Sequence, residues 1–409
     1  MRRLRLLLPV LLLPLAALAA DPALAPARLA AHAPDAALPD ARQFQGIPGI
    51  AVTPGGRWWA TWYGGGNDEG ATNYCMLASS DDAGATWSPI RFVLDHPAPA
   101  VRTFDPVLWT DPQGTLWLFY AQSHTFWDGR AGVWAVTCEN PDADTPRWSE
   151  PRRLADGIMM NKPTVTRDGR WLFPIALWSH APKTDPKDTR RYVPPEFSHW
   201  RKADAGTKVY VSTDRARTLT LLASLTIPDV LFDEHMLVER RDGSLWLLAR
   251  TRSGISESTS ADGGRTWTKP APAKIPHINS RFFIRRLASG ALLLVKHSPT
   301  IDTLWLNPDV TPAPKGKPWE QRSHLTAYLS DDDGATWRGG LLLDARLGVS
   351  YPDGDQAADG RIFLIYDRNR KTDGEILLAT FTEADVAAAE WRDPASRARV
   401  NVNRMPAQN

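Results

Sequence analysis

One eight-residue pattern recurs along the chain and constrains the fold more than any other feature of the sequence. The pattern S-x-D-x-G-x-T-W occurs in full at residues 80–87, 260–267 and 330–337, and a shortened copy begins at Ser212. Serine and aspartate oxygens can accept hydrogen bonds from nearby backbone amides, glycine tolerates a positive φ, and a tryptophan ring can pack beneath the turn. We therefore predict that each copy, an Asp box, joins two antiparallel strands.

A second repeat alternates with these boxes. Two apolar strands joined by a glycine-bearing turn occur six times, centred on Gly56, Gly114, Gly169, Gly243, Gly290 and Gly360. Four short antiparallel strands per repeat are typical of propeller blades. The sequence therefore predicts an all-β fold, a six-bladed β-propeller of four-stranded antiparallel blades with Asp-box turns, formed as one domain by residues 42–390.

The two ends of the chain differ from this pattern. Three arginines within residues 1–5, a short apolar stretch over residues 6–15 and Ala-Leu-Ala at 17–19 predict a secretory signal peptide at residues 1–20. The apolar stretch is shorter than the roughly 20 residues that a spanning helix needs. We expect a secreted or periplasmic protein that does not contact the membrane after cleavage, with an N-terminal arm at 21–41 and a C-terminal tail at 391–409. Cys75 and Cys138 could form a disulfide or remain two buried thiols.

Composition excludes several classes of function. The chain has 48 Lys and Arg against 46 Asp and Glu, and loss of the three arginines of the signal takes the net charge from +2 to −1. No cationic surplus remains to attract nucleic acid. No zinc-type spacing, EF-hand loop or phosphate-binding loop is present, so we predict no metal and no cofactor, and we expect a monomer.

The blade pattern predicts which residues share a face. The start of the first strand and the end of the second strand lie on one face of an antiparallel blade, opposite the Asp boxes. Polar residues recur at these positions around the predicted axis, and we expect them to form a concave site. They are Asp68, Asp105, Lys162, Glu234, His235, Arg250, Arg281, Tyr351, Asp367 and Arg368.

The Asp boxes and the order of these residues resemble the sialidase (neuraminidase) superfamily, over roughly residues 42–385. The resemblance implies an exo-acting glycoside hydrolase that removes a terminal, acidic sugar from a glycan. It implies Asp68 as acid/base, Glu234 and Tyr351 as a base and nucleophile pair, and Arg250 and Arg281 as ligands of the substrate carboxylate. A tyrosine nucleophile suits a sugar whose anomeric carbon carries a carboxylate, because a carboxylate nucleophile would approach a like charge.

The sequence departs from the family at one position. The first-blade motif F/Y-R-I-P of the family corresponds here to Gln45-Gly46-Ile47-Pro48, so the first arginine of the carboxylate clamp is replaced by Gly46. Asp367 matches the last-blade acid that pairs with that arginine. Arg130, Lys162, Arg368 or Arg370 could supply the missing charge, or the pocket could take another sugar.

Two alternative functions follow from the same residues. A polysaccharide lyase acting on uronic acids would use Tyr351 or a histidine to transfer a proton, with a cation at the carboxylate. A propeller without catalytic activity would bind glycans or proteins, which the missing arginine and aromatic residues such as Trp127 favour.

Overall fold

Six antiparallel sheets follow one another along the chain, and the predicted six-bladed propeller is confirmed. The structure is a computed structural model and describes residues 20–33, 36–38, 41–188, 191–298 and 322–406. The predicted signal peptide lies, apart from Ala20, outside the described residues. In each blade the chain runs from an inner strand near the axis to an outer strand, and neighbouring strands are hydrogen-bonded.

The strand bounds show the repeat. Blades one and two contain β2 (Gln45–Val52), β3 (Trp58–Gly64), β4 (Tyr74–Ser80), β5 (Phe92–Asp95), β6 (Val101–Thr110), β7 (Leu116–His124), β8 (Val133–Cys138) and β9 (Arg152–Ala155). Blades three and four contain β10 (Ile158–Met159), β11 (Thr164–Val165), β12 (Trp171–Leu177), β13 (Gly206–Ser212), β14 (Thr220–Leu225), β15 (Met236–Glu239), β16 (Leu245–Thr251), β17 (Gly254–Ser260) and β18 (Ala271–Pro272). Blades five and six contain β19 (Phe283–Arg286), β20 (Leu292–His297), β21 (Leu325–Ser330), β22 (Arg338–Asp344), β23 (Val349–Gln356), β24 (Ile362–Arg368), β25 (Glu375–Phe381) and β26 (Arg397–Arg404).

Helical segments are few and short in the part of the chain that the structure describes. The helix α1 (Glu383–Ala388) begins at Thr382, whose side chain accepts a hydrogen bond from the Asp385 amide in a capping box. Three single turns of 3₁₀ helix span Pro22–Leu24, Pro195–Phe197 and Lys202–Asp204. Within the described ranges, no helix has the length and apolar character needed to cross a membrane.

The Asp boxes form the turns that their sequence predicts. In the first box, Asp82 accepts hydrogen bonds from the Thr86 amide at 2.8 Å and the Thr86 hydroxyl at 2.6 Å, while the Ser80 hydroxyl accepts one from the Gly84 amide at 3.0 Å. The shortened copy keeps the same bonds between Asp214 and Thr218. The glycine-bearing turns between the first and second strands lie on the same face as these boxes, because two strands separate them. We call this the turn face and the opposite one the loop face.

Both chain ends extend a blade. Within the C-terminal tail predicted at 391–409, β26 pairs with β25 and completes blade six. Its sequence, RARVNVNR, is polar and mostly exposed, as an outer edge strand can be, and it therefore lacks the apolar pattern that identifies inner strands. Within the N-terminal arm, β1 (Arg28–Ala31) pairs with β5 as a fifth strand of blade one. Cys75 and Cys138 are buried free thiols.

Candidate functional site

Three inner strands carry the same irregularity where they approach the loop face. The register of β2, β6 and β23 shifts at Gly46/Gly49, Phe104/Val107 and Ser350/Asp353. Each bulge contains a residue before proline with a positive φ, 55° at Ile47, 47° at Asp105 and 54° at Tyr351. Non-glycine residues rarely adopt such a φ, and strained backbone of this kind occurs often at functional sites. The bulges therefore mark three neighbouring blades, six, one and two, as one rim of a site.

Tyr351 lies at the centre of a buried hydrogen-bonded triad. Its hydroxyl donates to Glu234 Oε1 at 2.5 Å, and Arg250 Nη1 donates to the same Glu234 oxygen at 2.6 Å and to the Tyr351 oxygen at 2.9 Å. Burial, followed by the charge of Glu234, raises the pKa of Tyr351 to about 12 although three arginines oppose the shift. Tyr351 is therefore a neutral phenol whose proton already faces a carboxylate that can accept it.

Two further arginines approach the Tyr351 ring. The guanidinium carbon of Arg370 lies 4.2 Å from the ring centroid and that of Arg322 lies 5.3 Å from it. Burial lowers the pKa of Arg322 to about 10, with the charges of Arg250 and Arg370 acting in the same direction and those of Tyr351 and Glu234 against it. Arg322 forms no salt bridge to a described carboxylate, and its buried Nε lacks a hydrogen-bond partner among the described residues. The pocket therefore holds positive charge that an anion could neutralise.

Arg370 occupies the place where a side chain at position 46 would lie. A Cβ added to Gly46 would stand 2.7 Å from both Cδ and Nε of Arg370. Arg370 Nε donates to Asp367 Oδ2 at 2.9 Å, and Asp367 also accepts from the Ile47 amide and the Ser350 hydroxyl. Of the four cations that could replace the missing first-blade arginine, Arg370 is the one beside Asp367 and Tyr351.

The other three cations are engaged elsewhere. Lys162 pairs with Asp353, and Arg130 pairs with Asp21 of the N-terminal arm. Arg368 pairs with Asp373 and Glu375, both at 2.9 Å, on the opposite side of β24 from Asp367. Because alternate residues of a strand face opposite ways, Arg368 cannot join Asp367 in the pocket.

Three carboxyl groups stand on the blade-one and blade-two side. Asp68 forms an ion pair with Lys371 at 2.7 Å, whereas the adjacent Glu69 lies 3.6 Å from Arg370 Nη1. Burial raises the pKa of Asp105 to about 8; Arg102 opposes this shift, and the charges of Glu69 and Glu234 add to it. Burial thus favours the neutral form of the Asp105 carboxyl group, which is close enough to Glu234 to be influenced by its charge.

Besides Lys162 and Arg368, two further residues predicted from the sequence do not reach this cluster. Arg281 is 2% exposed and contacts Asn161 at 2.8 Å and Asp353 at 3.6 Å, so it belongs to an ion network with Lys162 rather than to the tyrosine triad. His235 bonds to two backbone carbonyl oxygens, and burial lowers its pKa to about 4. It follows Glu234 directly, and the alternation of the chain directs it away from the pocket.

An aromatic cluster borders the triad on the blade-three side. Phe232 lies 5.5 Å from the Arg250 guanidinium and packs edge-on against Trp178, which also contacts Trp127. Trp127 is buried and packs within this cluster, so it is not one of the exposed aromatic residues expected of a binding propeller.

The sequence pattern did not single out Arg322 or Glu69. Arg322 stands just before β21, at no position that the strand pattern singles out, and only the fold brings it beside a tyrosine of the next blade. Glu69 directly follows the predicted Asp68. The sequence therefore predicted the correct loop, but not that Glu69 is the residue of this loop that faces Arg370.

The fold and the pocket together define a six-bladed Asp-box propeller with a tyrosine, carboxylate and arginine site on its axis. A family model described as BNR repeat-like domain matches residues 56–364, and the chain belongs to that family. The predicted Asp-box repeat family and the six-bladed propeller fold are thereby confirmed. No curated protein matches the sequence significantly.

Solved structures share the fold at low sequence identity. A Hadza microbial sialidase is 19% identical with a TM-score of 0.56; the match covers 80% of this chain and 63% of that one, less than two thirds of its length. The intramolecular trans-sialidase from Ruminococcus gnavus in complex with oseltamivir carboxylate is 14% identical, with a TM-score of 0.57 and coverage of 84% and 95%. A protein of unknown function from Dyadobacter fermentans is 15% identical, with a TM-score of 0.60 and coverage of 86% and 98%.

Proposed function

We propose that this protein is an exo-acting glycoside hydrolase of sialidase type that removes a terminal acidic sugar from glycans. The observation that carries the proposal is the triad in which Glu234 Oε1 lies 2.5 Å from the Tyr351 hydroxyl and 2.6 Å from Arg250. A tyrosine between a carboxylate and an arginine has a group to accept its proton and a cation to stabilise the phenolate oxygen.

The clamp for the sugar carboxylate consists of Arg250, Arg322 and Arg370. All three surround Tyr351, and Arg322 has no described carboxylate partner. A substrate carboxylate would neutralise a buried charge and form charge-assisted hydrogen bonds, so an acidic sugar fits better than a neutral one. Arg281 of the predicted clamp is replaced in this proposal by Arg322.

The reaction has two steps. In this reaction Asp68 is released from Lys371 and carries a proton before the first step. The Tyr351 oxygen attacks the anomeric carbon and its proton passes to Glu234 Oε1, while the bond to the aglycone breaks and the leaving oxygen takes the proton of Asp68. Water then attacks the anomeric carbon, Asp68 accepts a proton from that water, and the Tyr351 oxygen leaves and recovers its proton from Glu234. The raised pKa of Asp105 disfavours a second negative charge beside Glu234.

The first experiment tests turnover. The purified protein is assayed with aryl glycosides of sialic acid, other acidic keto sugars, uronic acids and rhamnose, and Tyr351→Phe is compared with Tyr210→Phe, a half-buried tyrosine of β13 remote from the pocket. We expect hydrolysis of an acidic keto sugar, lost in Tyr351→Phe and kept in Tyr210→Phe. Equal activity of both variants would refute the nucleophile, and a product with the absorbance of an unsaturated uronate would identify a lyase instead.

The second experiment tests the proton donor. Asp68→Asn should lower the rate of hydrolysis far more for substrates with a sugar aglycone than for those with a nitrophenyl aglycone, because a nitrophenolate leaves without protonation. If Asp105→Asn shows this dependence on the leaving group and Asp68→Asn does not, the donor is Asp105 and the role given to Asp68 is wrong.

A further inference from the structure

A cavity lies on the propeller axis, on the turn-face side of the Tyr351 triad. Its volume is about 580 Å³, and its walls are the inner strands of blades three to five, including Val165, Leu237 and Phe283. It extends from Lys162 and Asp353 to the turns after the inner strands, where Pro112, Arg167, Arg241 and Gly290 surround its mouth. These turns belong to the turn face, so the cavity opens opposite the Tyr351 pocket.

Buried ion pairs separate this cavity from the Tyr351 triad. Lys162 contacts Asp353, which also lies 3.6 Å from Arg281 and accepts a hydrogen bond from the Ile50 amide at 3.0 Å. All of these side chains are buried. The lower cavity therefore has a polar floor of its own, and a molecule within it would not contact Tyr351.

The mouth carries more positive charge than its carboxylates balance. Six cationic side chains line the cavity, and four of them pair with a carboxylate: Lys162 with Asp353, Arg167 with Glu239, Arg285 with Asp355 and Arg286 with Asp333. Arg240 and Arg241 have no carboxylate within salt-bridge distance among the described residues. Arg241 donates to the backbone oxygens of Asp331 and Gly290, and Arg240 lies over the Trp246 ring at 4.5 Å with its buried Nε unpartnered.

The floor offers an acceptor. Asp353 Oδ1, the oxygen that lies 3.6 Å from Arg281 Nη2, is buried and has no partner at hydrogen-bond distance among the described residues. Between floor and mouth, Pro163, Val165, Leu237 and Ile284 present apolar surface. The three apolar residues of β15, Met236 to Val238, at about 3.3 Å each give an apolar section on the order of 10 Å long.

We propose that this cavity binds an elongated organic anion with an apolar body. Its carboxylate lies at Arg240 and Arg241, its apolar body contacts Val165 and Leu237, and a hydroxyl at its far end donates to Asp353 Oδ1. A volume of this size falls within the range of small-molecule sites, and apolar walls with a few polar groups at the ends are typical of them. The site is separate from the proposed glycosidase reaction and does not depend on it.

Binding can be measured with 4-hydroxycinnamate, which has all three features. By isothermal titration calorimetry we expect binding tighter than about 1 mM, and about tenfold weaker binding of cinnamate, which lacks the hydroxyl, and of 4-vinylphenol, which lacks the carboxylate. Inorganic phosphate alone should compete weakly, because it has no apolar body. Equal binding of the three organic probes would refute the assigned orientation.

Variants locate the site. Arg240→Gln should weaken binding about tenfold, whereas Arg217→Gln, an exposed arginine of the blade-three turn on the same face, should not. Val165→Trp should abolish binding by filling the cavity, and thermal unfolding checks that each variant is folded. Arg370→Ala, in the catalytic pocket, should leave binding unchanged. Binding that survives Val165→Trp, or is lost in Arg370→Ala, would place the probe in the catalytic pocket and overturn the proposal.

Discussion

Substitution of Gly46 by alanine should disable the carboxylate clamp without touching the substrate. The new Cβ would lie 2.7 Å from Arg370 Cδ and Nε, closer than carbon and nitrogen atoms pack, so Arg370 must move by at least about 0.7 Å to reach an ordinary contact near 3.4 Å. That movement lengthens the bond from Arg370 Nε to Asp367, now 2.9 Å, and shifts the guanidinium from its place over Tyr351.

The expected loss follows from one charge-assisted hydrogen bond. Such a bond contributes about 1.5 to 3 kcal/mol, so kcat/KM for an acidic sugar should fall roughly 10- to 150-fold. Arg370→Ala should cause at least as large a loss. The double variant should be no worse than Arg370→Ala alone, because both changes remove the same interaction.

The assay is steady-state hydrolysis of the best substrate from the glycoside panel. Gly55→Ala is the matched control, since its Cβ would displace Asp142 by a similar contact of 2.4 Å on the turn face, away from the pocket. Gly46→Arg in the Arg370→Ala background should recover part of the activity by returning an arginine to blade one. If Gly46→Ala keeps full kcat/KM, or lowers it equally for neutral and acidic sugars, Arg370 is not a ligand of the carboxylate.

Three further predictions concern charge and turns. Arg322→Gln should raise KM for the acidic substrate and also raise the Tm, because it removes a buried cation without a described carboxylate partner; a lower Tm with unchanged KM would contradict this. The pKa of Asp105 is about 8 in the folded protein and roughly 3.9 in the unfolded chain. The protonated Asp105 therefore contributes fully to the free energy of unfolding below about pH 4, and this contribution declines with rising pH until it is lost above about pH 8. Asp105→Asn should reduce the dependence of the free energy of unfolding on pH between about 4 and 8, as measured by urea unfolding. An unchanged pH dependence would show that another group causes it. Asp332→Ala removes the acceptor for the Thr336 amide and hydroxyl and should lower the Tm by a few degrees while kcat stays unchanged; a loss of kcat in the folded variant would show that the box acts on the site.

The sequence predicted the architecture because its signals are local. An Asp box such as residues 80–87 forms its hydrogen bonds within a few residues, and so does each glycine-bearing turn. The outer strand β26 was missed for the same reason: a polar edge strand is specified by the neighbour with which it pairs, and nothing in its own pattern distinguishes it from a tail.

The site was predicted in part. Glu234, Tyr351 and Arg250 could be chosen from their order along the chain, and they form the triad. Arg281 and His235 stand at comparable positions at the starts of inner strands, yet one is held by Asp353 and Asn161 and the other by backbone oxygens. Chain position gives the end of the blade at which a residue lies, but contacts between blades decide its partner.

By itself, the sequence therefore determined the repeat, the number of blades and the face on which polar side chains gather, since each of these depends on hydrogen bonds and alternation within a blade. Only the tertiary structure decided that Arg370 fills the space above Gly46 and that Arg322 joins it at Tyr351. Closure of the propeller brings blade six against blade one, so residues 324 positions apart compete for one volume. The sequence pattern within a blade does not predict this contact between Gly46 and Arg370, because the contact forms only when the ring of blades closes.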